Sequence, residues 1–208
     1  MRGAALMLVL SVGGCSELDP DHAVSMWADD VEEARSPADQ LSAPGAQPGE
    51  WLRTSDRGHD SEMSWRFGDG TTYPSLCEAS LITPDFEAGR TSYLRFSYFS
   101  DLPALSAMTA TDGAVVEGQI DDGEWFELIP DGGYPFVLDQ LVVGSPFSLS
   151  QGMLSGNDRT WHDDFVTITD AMPGQMVRFR FRFGCDIDPA NNMGEGLFID
   201  DAEFLVVE

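Results

Sequence analysis

The sequence predicts an all-β fold, an antiparallel jelly-roll β-sandwich preceded by a flexible tether. Three observations carry this. Met176-Val177-Arg178-Phe179-Arg180-Phe181-Arg182-Phe183 alternates without a fault, the period of a strand with one buried face. Ser92-Tyr93-Leu94-Arg95-Phe96-Ser97-Tyr98-Phe99 repeats with the same period of two. Asp121-Asp122-Gly123 separates two further strand-like runs, 114–120 and 125–129, and its Asp-Gly step suits a hairpin turn. No long amphipathic helix pattern follows residue 50, and many short strands between turn signals make a sandwich.

The elements follow in chain order. Arg2 and the apolar run 4–12 lead into Val12-Gly13-Gly14-Cys15. A run this short does not span a bilayer, which needs ~20 residues. It has the length of a signal-peptide core. The small residues before the Cys resemble the lipobox of bacterial lipoproteins. That resemblance implies removal of residues 1–14 and lipidation of Cys15. An ordinary signal peptide cut near Gly14 is the alternative. Ser16 is not an Asp-type inner-membrane retention signal, which points to the outer membrane or cell surface of a bacterial envelope. Residues 15–50 read as a tether. Its acidic part, 19–33, suits a short helix, with Pro20 in the first turn and Val24, Trp27 and Val31 on one side. A Pro/Gly/Ala linker follows over 36–49. Trp27 either docks onto the domain or lies exposed. The sandwich occupies 51–208, with further strands at 77–84, 165–168 and 197–207. Residues 142–161, rich in Gly, Ser and Asn, read as a long surface loop.

Composition excludes several classes. The 208 residues carry 11 basic against 36 acidic side chains, a net charge of −25. Such a surface repels nucleic acid and anionic head groups, so membrane contact is expected through the lipid alone. A hydrophobic fraction of 42% suffices for one sizeable core. No Lys occurs, which removes Schiff-base and Ser–Lys chemistry. With Cys15 lipidated, Cys77 and Cys185 remain as a pair. In an oxidising compartment they read as a disulfide, with two buried free thiols as the alternative. Histidines stand only at 22, 59 and 162, and no nucleophile elbow, zinc-protease helix or phosphate loop is present. Trp161-His162-Asp163-Asp164 is the richest acid/base run, but adjacent strand residues point apart. No catalytic residue is therefore assigned.

Four stretches, taken together, resemble a known family. They are Asp60-Ser61-Glu62-Met63-Ser64-Trp65; Ser80-Leu81-Ile82-Thr83-Pro84-Asp85-Phe86 with Tyr93-Leu94-Arg95-Phe96; Asp121-Asp122-Gly123-Glu124-Trp125; and 172–181 followed by Gly196-Leu197-Phe198-Ile199-Asp200-Asp201-Ala202-Glu203-Phe204. Their order resembles the jelly-roll modules related to MAM domains, of galactose-binding-like architecture. It also resembles the accessory domain of immune-inhibitor-A-type secreted metalloproteases. The chain has fewer Cys than MAM domains proper, which favours the bacterial accessory branch. The resemblance implies a non-catalytic module for carbohydrate or protein contact. It also implies one structural Ca²⁺, for which Asp60, Glu62 and Asp201 are the candidate ligands. Asp200 and Asp201 are consecutive, so on a regular strand one of them points inward and needs a cation, an Arg or a backbone donor.

The remaining candidates are ligand-contacting residues on two strands. Tyr93, Arg95, Ser97 and Phe99 share one face; open, it offers rings for sugar stacking, and buried, it is core. Arg178, Arg180 and Arg182 form a cationic stripe. It either receives an acidic or sugar ligand, or pairs across strands with carboxylates such as Glu117; the pairing is favoured. Tyr93, Arg95, Arg178 and Arg180 are the ligand-binding set. The competing classes are a carbohydrate-active hydrolase with two carboxylates across a cleft and a purely structural envelope lipoprotein.

Overall fold

The computed structural model describes residues 23–29, 31–32, 39–42, 49–69, 71–140, 142–188 and 194–207. Cys15 and the signal segment lie outside them. The strands are β1 Val24–Asp29, β2 Asp39–Ser42, β3 Trp51–Thr54, β4 Ser64–Phe67, β5 Glu78–Ile82, β6 Phe86–Glu87, β7 Thr91–Asp101, β8 Thr109–Ala110, β9 Gly113–Ile120, β10 Phe126–Leu128, β11 Phe136–Leu138, β12 Gly152–Met153, β13 Trp161–Ile168, β14 Met176–Gly184 and β15 Gly196–Val207. One six-stranded sheet runs β13-β7-β15-β4-β3, with β1 also on β15. The other runs β10-β9-β14-β5-β2, with β6 on β14. A small third sheet, β12-β11-β8, sits beside them. Both large sheets are antiparallel throughout, as the sequence predicts.

The alternation of β14 does what its pattern requires. Val177, Phe179, Phe181 and Phe183 are buried, and Arg178, Arg180 and Arg182 face outward. The core joins the two sheets ring to ring. Phe183 stacks on Phe67 at 3.9 Å, Phe86 on Phe204 at 4.3 Å, and Phe181 meets Phe96 edge-on at 4.9 Å. Cys77 and Cys185 are disulfide-bonded, with Cα atoms 5.3 Å apart across 108 residues of sequence.

Two expectations are corrected. The acidic stretch 19–33 holds no helix among the described residues: 24–29 is strand β1, paired with β15. The cause is an open edge. β4 covers β15 only over Leu197–Ile199, so the backbone of Ala202–Val206 needs another partner, and β1 supplies it. Trp27 is thereby docked, its ring 5.1 Å from Phe86. β2 joins the edge of β5 in the same way, so the sandwich draws on chain before Trp51. The second correction concerns 142–161. Met153 and Leu154 are fully buried, and Leu154 exchanges backbone hydrogen bonds of 3.0 and 2.8 Å with Ala114. Its small and polar residues hide a short apolar group that packs beside Val115 and Leu138.

One acid in the interior sets a pH dependence. Asp112 is fully buried. It accepts from the Asp186 amide at 2.8 Å, the Tyr73 hydroxyl at 3.0 Å and the Thr111 hydroxyl at 3.0 Å. Burial, with Asp186 nearby, pushes its pKa up to about 6 despite those donors. The folded value exceeds the unfolded one of ~3.9, so its contribution to stability is complete below pH ~4 and is lost as pH rises through about 6. The loss is about 2–3 kcal/mol. Asp200 is raised likewise, so Asp112→Asn should reduce, not abolish, the fall in stability between pH 4 and 7. Urea midpoints across that range measure it; an unchanged slope in the variant would mean that Asp112 does not titrate there.

Candidate functional site

The outer face of the β13-β7-β15-β4-β3 sheet collects the polar side chains that the core excludes. On central strand β7, Leu94 and Phe96 belong to the core, so Tyr93, Arg95, Ser97 and Phe99 face outward. Ser97 sits opposite Asp163 of β13 on one side and Asp200 of β15 on the other. Arg95 sits opposite Phe165 and Glu203. A cleft of about 460 Å³ forms there, lined by His59, Asp60, Arg95, Ser97, Asp163, Asp201 and Glu203.

A bulge builds one wall. The register of β15 shifts between Asp200 and Glu203, and Asp201 adopts φ 48°, a left-handed conformation unusual for a residue other than Gly. Consecutive residues on a regular strand point apart; here both carboxylates meet His59. Asp200 Oδ2 accepts from the His59 amide at 2.8 Å, and Asp201 Oδ2 lies 2.7 Å from His59 Nδ1. The expected inward carboxylate is thus absent. Asp200 is fully buried on the outer face, under the 55–63 loop, and backbone donors satisfy it: the His59 amide and its neighbour Asp201, at 2.9 Å. Burial, and Asp201 beside it, raise its pKa to about 6 against the pull of those donors.

His59 is the residue that sequence reasoning missed. Its place beside Asp60 is its one local signal, and its partner Asp201 is 142 residues away. Burial works against a proton on His59, but the hydrogen bond to Asp201 and the charges of Asp163, Asp60 and Asp201 outweigh it and hold the pKa above its ordinary value. The ring packs on Trp161, centroids 5.3 Å apart. Nearby hydroxyls are committed: Ser97 Oγ donates to Asp163 Oδ1 at 2.7 Å and Ser61 Oγ to the Met63 carbonyl at 3.0 Å. His162 stands apart, paired with Asp158 at 2.6 Å and stacked on Tyr98.

The ligand-binding set does not converge. Arg95 reaches the cleft, paired with Glu203. Tyr93 is fully buried, edge-on to Phe165, so it offers no stacking surface. Phe99 is covered by Arg57, whose guanidinium lies 4.0 Å above its ring. Arg178 and Arg180 lie on the outer face of the opposite sheet, a full sandwich away, because β14 belongs to that sheet. There Arg180 pairs with Glu117 and stacks under Trp125 at 4.3 Å, while Arg178 bonds Gln119. The stripe is paired across strands as the favoured alternative had it.

The metal candidates converge in part. Asp60 and Asp201 come together with His59, their ligand atoms within 4.8 Å of one another. Glu62 is not in this group. Ca²⁺ takes six to eight oxygen ligands. Here one of three central donors is an imidazole nitrogen, and both oxygens of Asp200 already accept backbone N–H groups. The donor set does not fit the implied Ca²⁺.

No family of known proteins and no curated protein matches this sequence. Solved structures do match in fold. The K3 cleaved adhesin domain of Lys-gingipain from Porphyromonas gingivalis superposes with a TM-score of 0.50 at 15% identity, over 88% of this chain and 99% of that one. The CBM22-1 xylan-binding domain of Paenibacillus barcinonensis Xyn10C gives 0.47 at 10% identity, over 89% and 97%. TmCBM61, solved with beta-1,4-galactotriose, gives 0.46 at 10%, over 83% and 90%. At 15% identity the adhesin-domain match speaks for the fold alone.

Proposed function

We propose that this chain is a non-catalytic module that receives a glycan in the cleft on the sheet of β13, β7 and β15, held at a bacterial envelope through lipid on Cys15. The observation that carries the reading is the composition of that face. Trp161, Asp163 and Phe165 alternate along β13, so two partly exposed rings flank a carboxylate, next to Arg95 and Ser97 on β7. Sugars present apolar C–H faces and rims of hydroxyls, which call for rings beside convergent donors and acceptors. Among the described carboxylates of the cleft, Asp163 accepts from Ser97, Asp201 pairs with His59 and Glu203 pairs with Arg95, commitments that favour binding over hydrolysis. The acidic lining selects against uronate-rich or sulfated glycans and for neutral or amino sugars.

The test is a glycan array with the purified chain, followed by calorimetry on any hit. Trp161→Ala should weaken binding at least about tenfold, as loss of a stacked ring worth more than ~1.4 kcal/mol does. Trp125→Ala, on the other sheet, should leave affinity unchanged. Binding that is lost with Trp125 and kept without Trp161 would move the site to the opposite face, and no hit on any neutral or amino glycan would remove the reading.

A further inference from the structure

The geometry points to a divalent transition-metal site, of the Zn²⁺ class, formed by His59, Asp60 and Asp201 at one end of the cleft. This stands independently of what the cleft binds. His59 Nδ1 lies 2.7 Å from Asp201 Oδ2 and 3.9 Å from Asp60 Oδ2. Donors around a tetrahedral Zn²⁺, each at about 2.0–2.2 Å, stand about 3.3 Å apart. The two separations bracket that value, and all three ligand atoms lie within 4.8 Å of one another, so side-chain rotation closes the site.

The surroundings are built as such a site requires. A metal-bound imidazole turns its other nitrogen to a carboxylate, which sets the tautomer. Here Nδ1 faces the two ligand carboxylates, and Nε2 faces Asp163 Oδ1 at 3.7 Å. Asp163 is held in turn by Ser97. The buried Asp200 carboxylate accepts the backbone amides of both His59 and Asp201, fixing two of the three ligand residues to one point. Trp161 backs the ring of His59. The bulge matters for a separate reason: a regular β15 would turn Asp201 away from His59. The mixed nitrogen and oxygen donors select the metal. Imidazole suits Zn²⁺, Co²⁺ and their neighbours, whereas Ca²⁺ prefers oxygen alone. Three protein ligands leave one tetrahedral position facing the cleft, open to water or to a ligand hydroxyl.

The experiment uses the purified full chain stripped with chelator, then titrated with Zn²⁺, Co²⁺ or Ca²⁺. Zn²⁺ at one equivalent should raise the melting temperature, and Ca²⁺ at the same concentration should not. Co²⁺ should give visible ligand-field absorption at a stoichiometry of about one. His59→Gln should abolish both signals, while His162→Gln, outside the site, should keep them. Asp163→Asn should weaken Zn²⁺ affinity about 10–100-fold without removing the absorption, as loss of an outer partner does. If His59→Gln does not fold, Asp201→Asn takes its place. Stabilisation by Ca²⁺ but not Zn²⁺, a Zn²⁺ response that survives His59→Gln, or no Co²⁺ absorption in the wild-type chain would each overturn the assignment.

Discussion

Replacing Phe179 by alanine should destabilise the fold by ~3–5 kcal/mol, the cost of emptying a fully packed aromatic position. Phe179 has no exposed surface, lies 6.0 Å from Phe204 of the opposite sheet, and has little room to collapse. Its neighbour on the other face behaves differently. Arg178 is about a third exposed, bonds Gln119 and lies 3.8 Å from Asp85, so Arg178→Ala should cost less than ~1 kcal/mol. Arg180→Ala falls between, at about 1–3 kcal/mol, because Glu117 is largely buried and loses its nearest partner. Arg182, 3.5 Å from Glu117, limits that loss. The urea midpoint reads all three. Equal shifts for Phe179→Ala and Arg178→Ala would mean that the facing of β14 is wrong.

Removing the disulfide is the other large effect. The Cys77–Cys185 bond closes a loop of 108 residues. For a loop near that length the constraint on the unfolded chain is ~4–5 kcal/mol in the chain-entropy account, and measured losses run about 2–5. The Cys77→Ala/Cys185→Ala double variant should lose an amount in that range. The Cys185 amide still donates to the Cys77 carbonyl at 3.1 Å, so the local pairing of β14 with β5 survives, and the loss is one of global stability. Comparison of the wild type with and without reductant against the double variant checks this. A reduced wild type that melts with the oxidised one would show that the bond contributes nothing. Cys185 stands six residues, ~20 Å, along the chain from Phe179, so the two effects are expected to add.

Much of the scaffold was legible in the residues. β14 offered one solution: Phe and Arg in strict alternation bury one face and expose the other, and a one-residue slip would put three guanidinium groups into the core. The strands at 114–120 and 197–207 were found within a residue or so, because turn signals and apolar alternation agree there. The pairing of Arg180 with Glu117 was foreseeable for a related reason: an acidic chain with three Arg on one strand face puts carboxylates opposite them. The face of β7 was not decidable. Its alternate residues are aromatic on both sides, so periodicity does not say which side is covered; both are, except at Arg95, where the cleft opens.

What the sequence by itself determined is therefore the fold class and the facing of β14, each from local period or composition. The pairing of Cys77 with Cys185 is an expectation that rests on setting Cys15 aside as a lipobox Cys, with free thiols as the alternative, and the folded chain joins the two. Tertiary structure alone decided the site and the entry of the N-terminal segment. Asp200 and Asp201 point to one side only because β15 bulges, and a bulge is a mismatch in register with β7 that neither strand encodes alone. His59 meets Asp201 because the 55–63 loop folds over the sheet, a contact across 142 residues with no local pattern to announce it. β1 is a strand because β4 leaves half of β15 unpaired, and unsatisfied backbone groups on that edge outweigh the helical spacing of Val24, Trp27 and Val31.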